Sequence, residues 1–209
     1  MTSNRHVVLF YNPSSRAAGV RILLEELNAD YELQVLSLQA GDSRKPEFLA
    51  INPMGKIPTI KHGDVVVTEQ AAIYMYLAEL YSEAGLSPAV GSPLRGPYLR
   101  WMVFYGSCFE PALMDRSMKH ESVAPGTSPY GDFDTMLTTL KQQLSKGPWL
   151  LGDTFTAADV LWGTALAWTT GFKLVPESPE IKAYIERVNA RPALARARAK
   201  DAELSAKKA

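Results

Sequence analysis

Strand-like patterning in this 209-residue chain is confined to the opening third, and the remaining two thirds repeat with the period of a helix. Val7 to Tyr11 is a β-branched and aromatic run closed by Asn12-Pro13, and Val20, Leu23, Leu24 and Leu27 come next at helical spacing. Tyr31 to Leu36 alternates as a second strand, so the opening reads as a βαβ unit whose parallel pairing needs a right-handed crossover. Ile57 to His62 and Val65 to Thr68 flank Gly63-Asp64, a hairpin-sized turn, and Ile73, Tyr76, Leu77 and Leu80 then line one helical stripe.

From Ser82 to Pro97 the texture changes to Gly, Ser and Pro with little apolar period, as in an interdomain linker. Beyond it, Tyr98, Trp101, Met102, Tyr105 and Phe109, then Phe133, Met136, Leu137, Leu140 and Leu144, then Val160, Leu161 and Ala165 predict an all-α second half. The expected division is a mixed domain over 5–82, a linker over 83–97 and a helical domain over 98–209. Thr156-Ala157-Ala158-Asp159 reads as a capping box with Asp in place of Glu, and Phe155 and Val160 sit at staple positions.

The chemistry concentrates in Asn52-Pro53-Met54-Gly55-Lys56-Ile57-Pro58-Thr59-Ile60 and in Thr68-Glu69-Gln70-Ala71-Ala72-Ile73. A proline cannot donate to a ladder, so Pro58 belongs at a strand's first residue or at a sheet edge. A cis Ile57-Pro58 bond would aim the Ile57 N–H and C=O outward, where a short extended peptide can pair with them. Glu69, at the mouth of the following helix, suits an ammonium. The free N–H groups and dipole of that helix's first turn suit a carboxylate. The ligand implied carries both charges.

Asn-Pro-x-Gly-Lys-x-Pro followed by Glu-x-Ala-Ala-Ile resembles the glutathione-binding half of cytosolic glutathione transferases. The resemblance implies that Ile57, before a cis Pro58, pairs with the cysteinyl backbone of glutathione, and that Glu69 and Gln70 receive its γ-glutamyl end. Gln70 stands where the family has Ser or Thr, and its amide N–H is the donor available there. The βαβ then ββα pattern resembles a thioredoxin-like domain. The box at Thr156 and the tail Ile181 to Pro192 resemble the family's helical half, so the likeness covers nearly the whole chain.

A transferase of this kind keeps its bound thiol ionised near neutral pH, since the thiolate is the nucleophile and a free thiol has a pKa near 8.5. The group responsible belongs where the first strand gives way to the first helix, and Tyr11, Ser14 and Ser15 are the hydroxyls there. Counting back from Leu23-Leu24-Glu25-Glu26-Leu27, Ser15-Arg16 falls where theta-like and related bacterial transferases carry their serine. Ser15 is therefore the first choice, Tyr11 the second and Ser14 the third. Arg16 adds positive potential near the sulfur. The competing reading makes Ser14 or Ser15 a helix cap, which uses the same oxygen.

Other residues carry a structural alternative beside the functional one. Cys108, next to Phe109 in an apolar stretch, reads as a small core residue. The aromatic stripe reads mainly as core, with Tyr105, Phe109, Trp168 and Phe172 the pocket candidates that the resemblance implies. Lys56 can meet the glycyl carboxylate of the peptide or simply be solvated. Arg196, Arg198 and Lys200 alternate with other residues as a solvated helix face.

Composition narrows the classes. Lys+Arg and Asp+Glu both number 22, so no net field attracts nucleic acid or an anionic membrane. One cysteine forbids an intrachain disulfide and fits a reducing compartment, and no apolar run suits a signal or a membrane span. His6, His62 and His120 have no ligand spacing, and no metal is expected. The reading is a cytoplasmic, homodimeric detoxification enzyme, with the dimer implied by resemblance alone. It has a thioredoxin-like domain (α/β) and an all-α helical bundle domain, and it adds glutathione, its co-substrate, to a small hydrophobic electrophile. A glutathione-dependent isomerase is the alternative within enzymes, since Ser14-Ser15 partly resembles that group's paired serines. A non-catalytic glutathione-binding or dimerisation module is the alternative outside them.

Overall fold

The computed structural model describes residues 5–120 and 123–206. By its contacts the chain divides into two compact units, one comprising the residues up to Leu86 with those from Arg191 onward, the other Ser87–Ala190.

The first unit is built on a mixed four-stranded sheet of order β2-β1-β3-β4. β1 (Val7–Tyr11) lies parallel to β2 (Tyr31–Val35), with Val7 opposite Tyr31 and Tyr11 opposite Val35. It lies antiparallel to β3 (Thr59–His62), with Phe10 opposite Thr59, and β3 turns back through Gly63 into β4 (Val65–Val67). β1 is central and nearly continuously apolar, as a strand covered on both faces must be. Successive side chains leave a strand on opposite faces. Phe10 therefore packs with Leu36, Phe48, Ile51 and Ile57 on one side, while Tyr11 lies against the Arg21 guanidinium on the other.

α1 (Ala17–Glu26) buries Val20, Leu23 and Leu24 of the stripe its spacing predicts, together with Ala17, and the fourth residue of that stripe, Leu27, is buried just past its end. Between β2 and β3 the chain forms a 3₁₀ turn over Asp42–Arg44 and a one-turn helix α2 (Pro46–Leu49), neither of which is long enough to carry a period. α3 (Gln70–Leu80) buries Ile73, Tyr74, Leu77 and Ala78.

The second unit holds α4 (Arg95–Phe104), a π-helical turn over Tyr105–Phe109, α5 (Glu110–Met118), α6 (Phe133–Leu144), α7 (Ala157–Gly171) and α8 (Pro179–Asn189). Its core surrounds Trp162, whose indole N–H donates to the Trp101 carbonyl at 3.0 Å and whose ring meets those of Trp101, Phe104, Tyr105 and Phe109. Asp159 starts α7 as the box predicts. Fully buried, it accepts from the Thr156 N–H at 2.9 Å, the Leu150 N–H at 2.8 Å and the Tyr184 hydroxyl at 2.8 Å.

Three sequence expectations change. α4 starts at Arg95, inside the stretch expected as linker, and α9 (Pro192–Ala206) belongs to the first unit although 98–209 was expected as one helical domain. The last residues of that expectation, 207–209, lie outside the described residues. The face of α9 that carries Arg196, Arg198 and Lys200 is exposed as expected, and the helix docks through the buried Ala193, Leu194 and Ala197. At its edge Arg196 and Lys200 pair with Glu25 of α1, and Arg191 just before the helix makes a two-pronged bond to Glu26. Cys108 is half-buried rather than core, because the wide π turn keeps Phe109 on the buried stripe and swings its neighbour off it.

Candidate functional site

The Asn52–Pro58 turn is held from inside by Asn52, which is buried. Its side-chain amide donates to the Lys56 carbonyl at 2.9 Å and the Thr59 hydroxyl at 3.1 Å, and its Oδ1 accepts from the Met54 N–H at 3.1 Å. Gly55 turns the chain at φ +60°, and a Cβ there would sit 2.7 Å from the Ser43 carbonyl oxygen, so only glycine fits. The Lys56 carbonyl is thus committed while its side chain is exposed. The Ile57-Pro58 peptide bond is cis. No main-chain hydrogen bond among the described residues involves Ile57. Because Phe10 faces Thr59, the first residue of β3, the preceding Pro58 and Ile57 continue the chain beside the C-terminal end of β1.

The turn between β1 and α1 is organised by Asn12. Its amide donates to the Leu36 carbonyl at 2.8 Å, its Oδ1 accepts from the Ser14 N–H at 2.9 Å, and its carbonyl accepts from the Ser15 hydroxyl at 2.7 Å. Ser15 Oγ also accepts from the Ala17 N–H at 3.1 Å, at the first residue of α1, although the N-cap position itself is Arg16, which makes no side-chain cap bond. Ser15 is half-buried, and Ser14 and Arg16 are exposed.

Tyr11 differs from both serines. It is fully buried, and its hydroxyl donates to Asp201 of α9 at 2.5 Å. Burial, reinforced by the bond to Asp201, pushes the phenol well above its ordinary value, so its proton stays in place across physiological pH.

The third element is the start of α3. Glu69 precedes it with φ +63°, in the left-handed region that a non-glycine residue rarely occupies, and its side chain is exposed. Gln70 is the first helical residue, and its amide reaches the Arg16 carbonyl at 3.5 Å, the outer limit of a hydrogen bond. The β1–α1 turn, the Pro58 turn and the first turn of α3 therefore gather at one end of the sheet. Together they present main-chain groups for an extended peptide, an acid for an ammonium, and helix N–H groups for anions.

In the second unit, Tyr105 and Phe109 are buried against Trp162, and Tyr105 donates to Glu110. Trp168 and Phe172 are exposed by 45% and 66% and lie ring to ring at 5.0 Å, a wet apolar pair unlike the first two. No group of three or more His, Cys, Asp or Glu side chains able to hold a metal occurs among the described residues, and none of their helices is long and apolar enough to cross a membrane. The sequence placed Asn12 and Asn52 within its motifs without giving either side chain a role, and Asp201 was not singled out. Asn12, two residues before a serine, carried an Asx-turn signal, but Asp201 had no local signal.

Residues 6–79, β1 through most of α3, match the model described as the glutathione S-transferase N-terminal domain, and residues 130–187 match that of its C-terminal domain. The crystal structure of a glutathione transferase from Methylococcus capsulatus superimposes with a TM-score of 0.77 at 32% identity, covering 91% of this chain and 96% of that one. The chain belongs to the glutathione transferase family. Among its relatives in that family is the disulfide-bond oxidoreductase YfcG of Escherichia coli, 29% identical over 203 residues that cover 90% of this chain and 93% of the relative. Another is the glutathione transferase URE2P6 from Phanerochaete chrysosporium, solved in complex with oxidized glutathione. It has a TM-score of 0.77 at 26% identity and covers 97% of this chain and 99% of that one. The mixed sheet with its helical unit is the glutathione transferase fold.

Proposed function

We propose that the protein binds glutathione along the Ile57 main chain and transfers its sulfur, as the thiolate, to a small hydrophobic electrophile. The γ-glutamyl ammonium meets Glu69, its carboxylate meets the first turn of α3 at Gln70, and Lys56 faces the glycyl carboxylate. Ser15 is the group assigned to the sulfur, with Arg16 beside it and Ser14 and Tyr11 ranked behind. The supporting observation is the end of the sheet where an unpaired Ile57 main chain, the Ser15 turn and the start of α3 come together.

Energetics allow one hydroxyl to do most of this. Lowering a thiol pKa from about 8.5 by two units takes roughly 2.7 kcal/mol of thiolate stabilisation. A hydrogen bond to a charged group supplies about 1.5–3 kcal/mol. Ser15 donates its proton to the Asn12 carbonyl, so the assigned role requires the hydroxyl to turn towards sulfur while Oγ keeps the Ala17 N–H. Tyr11 offers no such rotation, since its proton is held by Asp201. Attack by the thiolate forms the new carbon–sulfur bond as the electrophile's leaving group departs with its bonding pair, or as the π pair of an activated double bond moves to the neighbouring atom, which then takes a proton from water.

Trp168 and Phe172 are the exposed aromatic groups assigned to the electrophile, and Tyr105 and Phe109, buried against Trp162, are ranked after them. Membership in the family supports reading the protein as a homodimer, cytoplasmic and acting in detoxification. Conjugation of glutathione to an aryl halide by the parent, reduced about tenfold or more in Ser15→Ala, is the expected result. Unchanged conjugation in that variant would reassign the role to Ser14.

A second reading rests on the likeness to the oxidoreductase relative. With serines at the tip of α1, the thiolate of glutathione itself would attack a disulfide, expel one sulfur as a thiolate and leave a mixed disulfide. A second glutathione thiolate then releases oxidised glutathione, so two glutathiones supply the two electrons. Faster turnover of a small disulfide than of the aryl halide would favour this reading.

A further inference from the structure

Asp201 lies in the last helix, yet its Oδ1 accepts from the Tyr11 hydroxyl and from the buried Arg21 guanidinium. Tyr11 is the last residue of β1, and Arg21 stands on the second turn of α1. One carboxylate therefore fastens both flanks of the turn that carries Ser14, Ser15 and Arg16. Inside that turn the link continues through adjacent atoms, since Asn12, the residue after Tyr11, receives the Ser15 hydroxyl on its carbonyl.

We propose that Asp201 is a positioning residue for the sulfur site, holding the Ser15 turn in register from α9. The inference rests on the transferase reading of the site. A hydroxyl serves a thiolate only when its oxygen is held to a fraction of an ångström, and misplacement by about 1 Å costs on the order of 100-fold in rate. The groups that face this carboxylate and its partners come from each neighbouring element: Tyr11 from β1, Arg21 and Glu25 from α1, Tyr31 from β2, and Arg196 and Lys200 from α9. Glu25 accepts from Tyr31 at 2.5 Å and pairs with Arg196 and Lys200. It anchors the same helix without bonding to the Ser15 turn. The helix thus has two kinds of anchor, one reaching the turn through Tyr11 and Arg21, and others, including Arg191 on Glu26, that only dock it.

That difference supplies the test. Ultraviolet thiolate absorbance of bound glutathione is titrated against pH in the parent, Asp201→Asn, Tyr11→Phe, the double variant and Glu26→Gln, with kcat and KM for glutathione measured alongside. The expected result is an upward shift in the thiol ionisation of about half a unit to one unit in each of the first two variants, corresponding to roughly a three- to tenfold loss of thiolate at a pH below the transition. The double variant should be no worse than Asp201→Asn, since both act through one link. Glu26→Gln should lower the melting temperature and leave the ionisation in place. Should Asp201→Asn fail to fold, Tyr11→Phe against Glu26→Gln decides the matter by the same shift. Ionisation unchanged in Tyr11→Phe and Asp201→Asn overturns the inference, as does an equal shift in Glu26→Gln, which would make the effect one of helix docking. Abolished activity in Tyr11→Phe with none lost in Asp201→Asn also overturns it, because Tyr11 would then act directly. A parent that never ionises glutathione defeats the transferase reading itself, and the inference falls with it.

Discussion

The side-chain amide of Asn52 donates to the carbonyl of Lys56 at 2.9 Å, from a position where water does not reach. This bond, with those to Thr59 and Met54, sets the path of the chain into Pro58, and hence where the Ile57 main chain points. Asn52→Ala removes one of the two donors to the Lys56 carbonyl, which keeps the Thr59 hydroxyl, and takes the acceptor away from the Met54 N–H. The expected cost is about 1–3 kcal/mol of stability, read as a lower urea midpoint. KM for glutathione should rise more than kcat falls, because the damage is to the binding edge rather than to the serine.

Glu69 carries a conformational cost that the proposed contact with the ammonium of glutathione would explain. A non-glycine residue at φ +63° and ψ +117° is held at an expense of about 1–3 kcal/mol. Glu69→Gly should therefore raise the melting temperature or leave it unchanged while weakening glutathione binding severalfold. A melting temperature that falls sharply would show the side chain to be structural.

In the second unit, α7 and α8 approach closely at Gly163, where a Cβ would lie 2.5 Å from a methyl of Val188. Gly163→Ala should cost about 1–3 kcal/mol by overpacking. Adding Val188→Ala should recover part of that loss, a coupling that thermal melts of the single and double variants would reveal.

Docking of α9 should weaken in acid through Glu25. Burial alone would raise this carboxyl, but the hydrogen bonds from Lys200 and Tyr31 and the Lys200 charge outweigh it and hold the group below its ordinary 4.5. A depressed carboxylate stabilises the folded state fully above its unfolded value and loses that contribution as pH falls through the lower folded one. Stability should thus drop below about pH 4.5, and Glu25→Gln, less stable at neutral pH, should show a flatter decline there.

Where apolar side chains recur along one element, the sequence was readable. Leu23 and Leu24 on α1, Ile73 and Leu77 on α3, and the run from Val7 announce their elements by period, and the Asp159 box marks the start of α7. Structure set by distant partners was not readable. The Tyr11–Asp201 bond joins residues 190 apart, and no pattern in an Ala-, Arg- and Lys-rich tail says which helix it will meet. Pro46–Leu49 is too short to show periodicity, and the π turn that moves Cys108 off the core is a local insertion invisible to a heptad or a 3.6 count. The candidate hydroxyls were legible as a set. Their separation into a buried, committed Tyr11 and a turn-borne Ser15 required the partners to be seen.

The central claim is that glutathione is ionised at the Ser15 turn. Its most direct measurement is the pH titration of thiolate absorbance for glutathione bound to the parent and to Ser15→Ala. The account predicts a transition about two units below that of free glutathione in the parent, returning most of the way towards about 8.5 in the variant. Coincident transitions in the two proteins, or a parent transition at the free value, would contradict it.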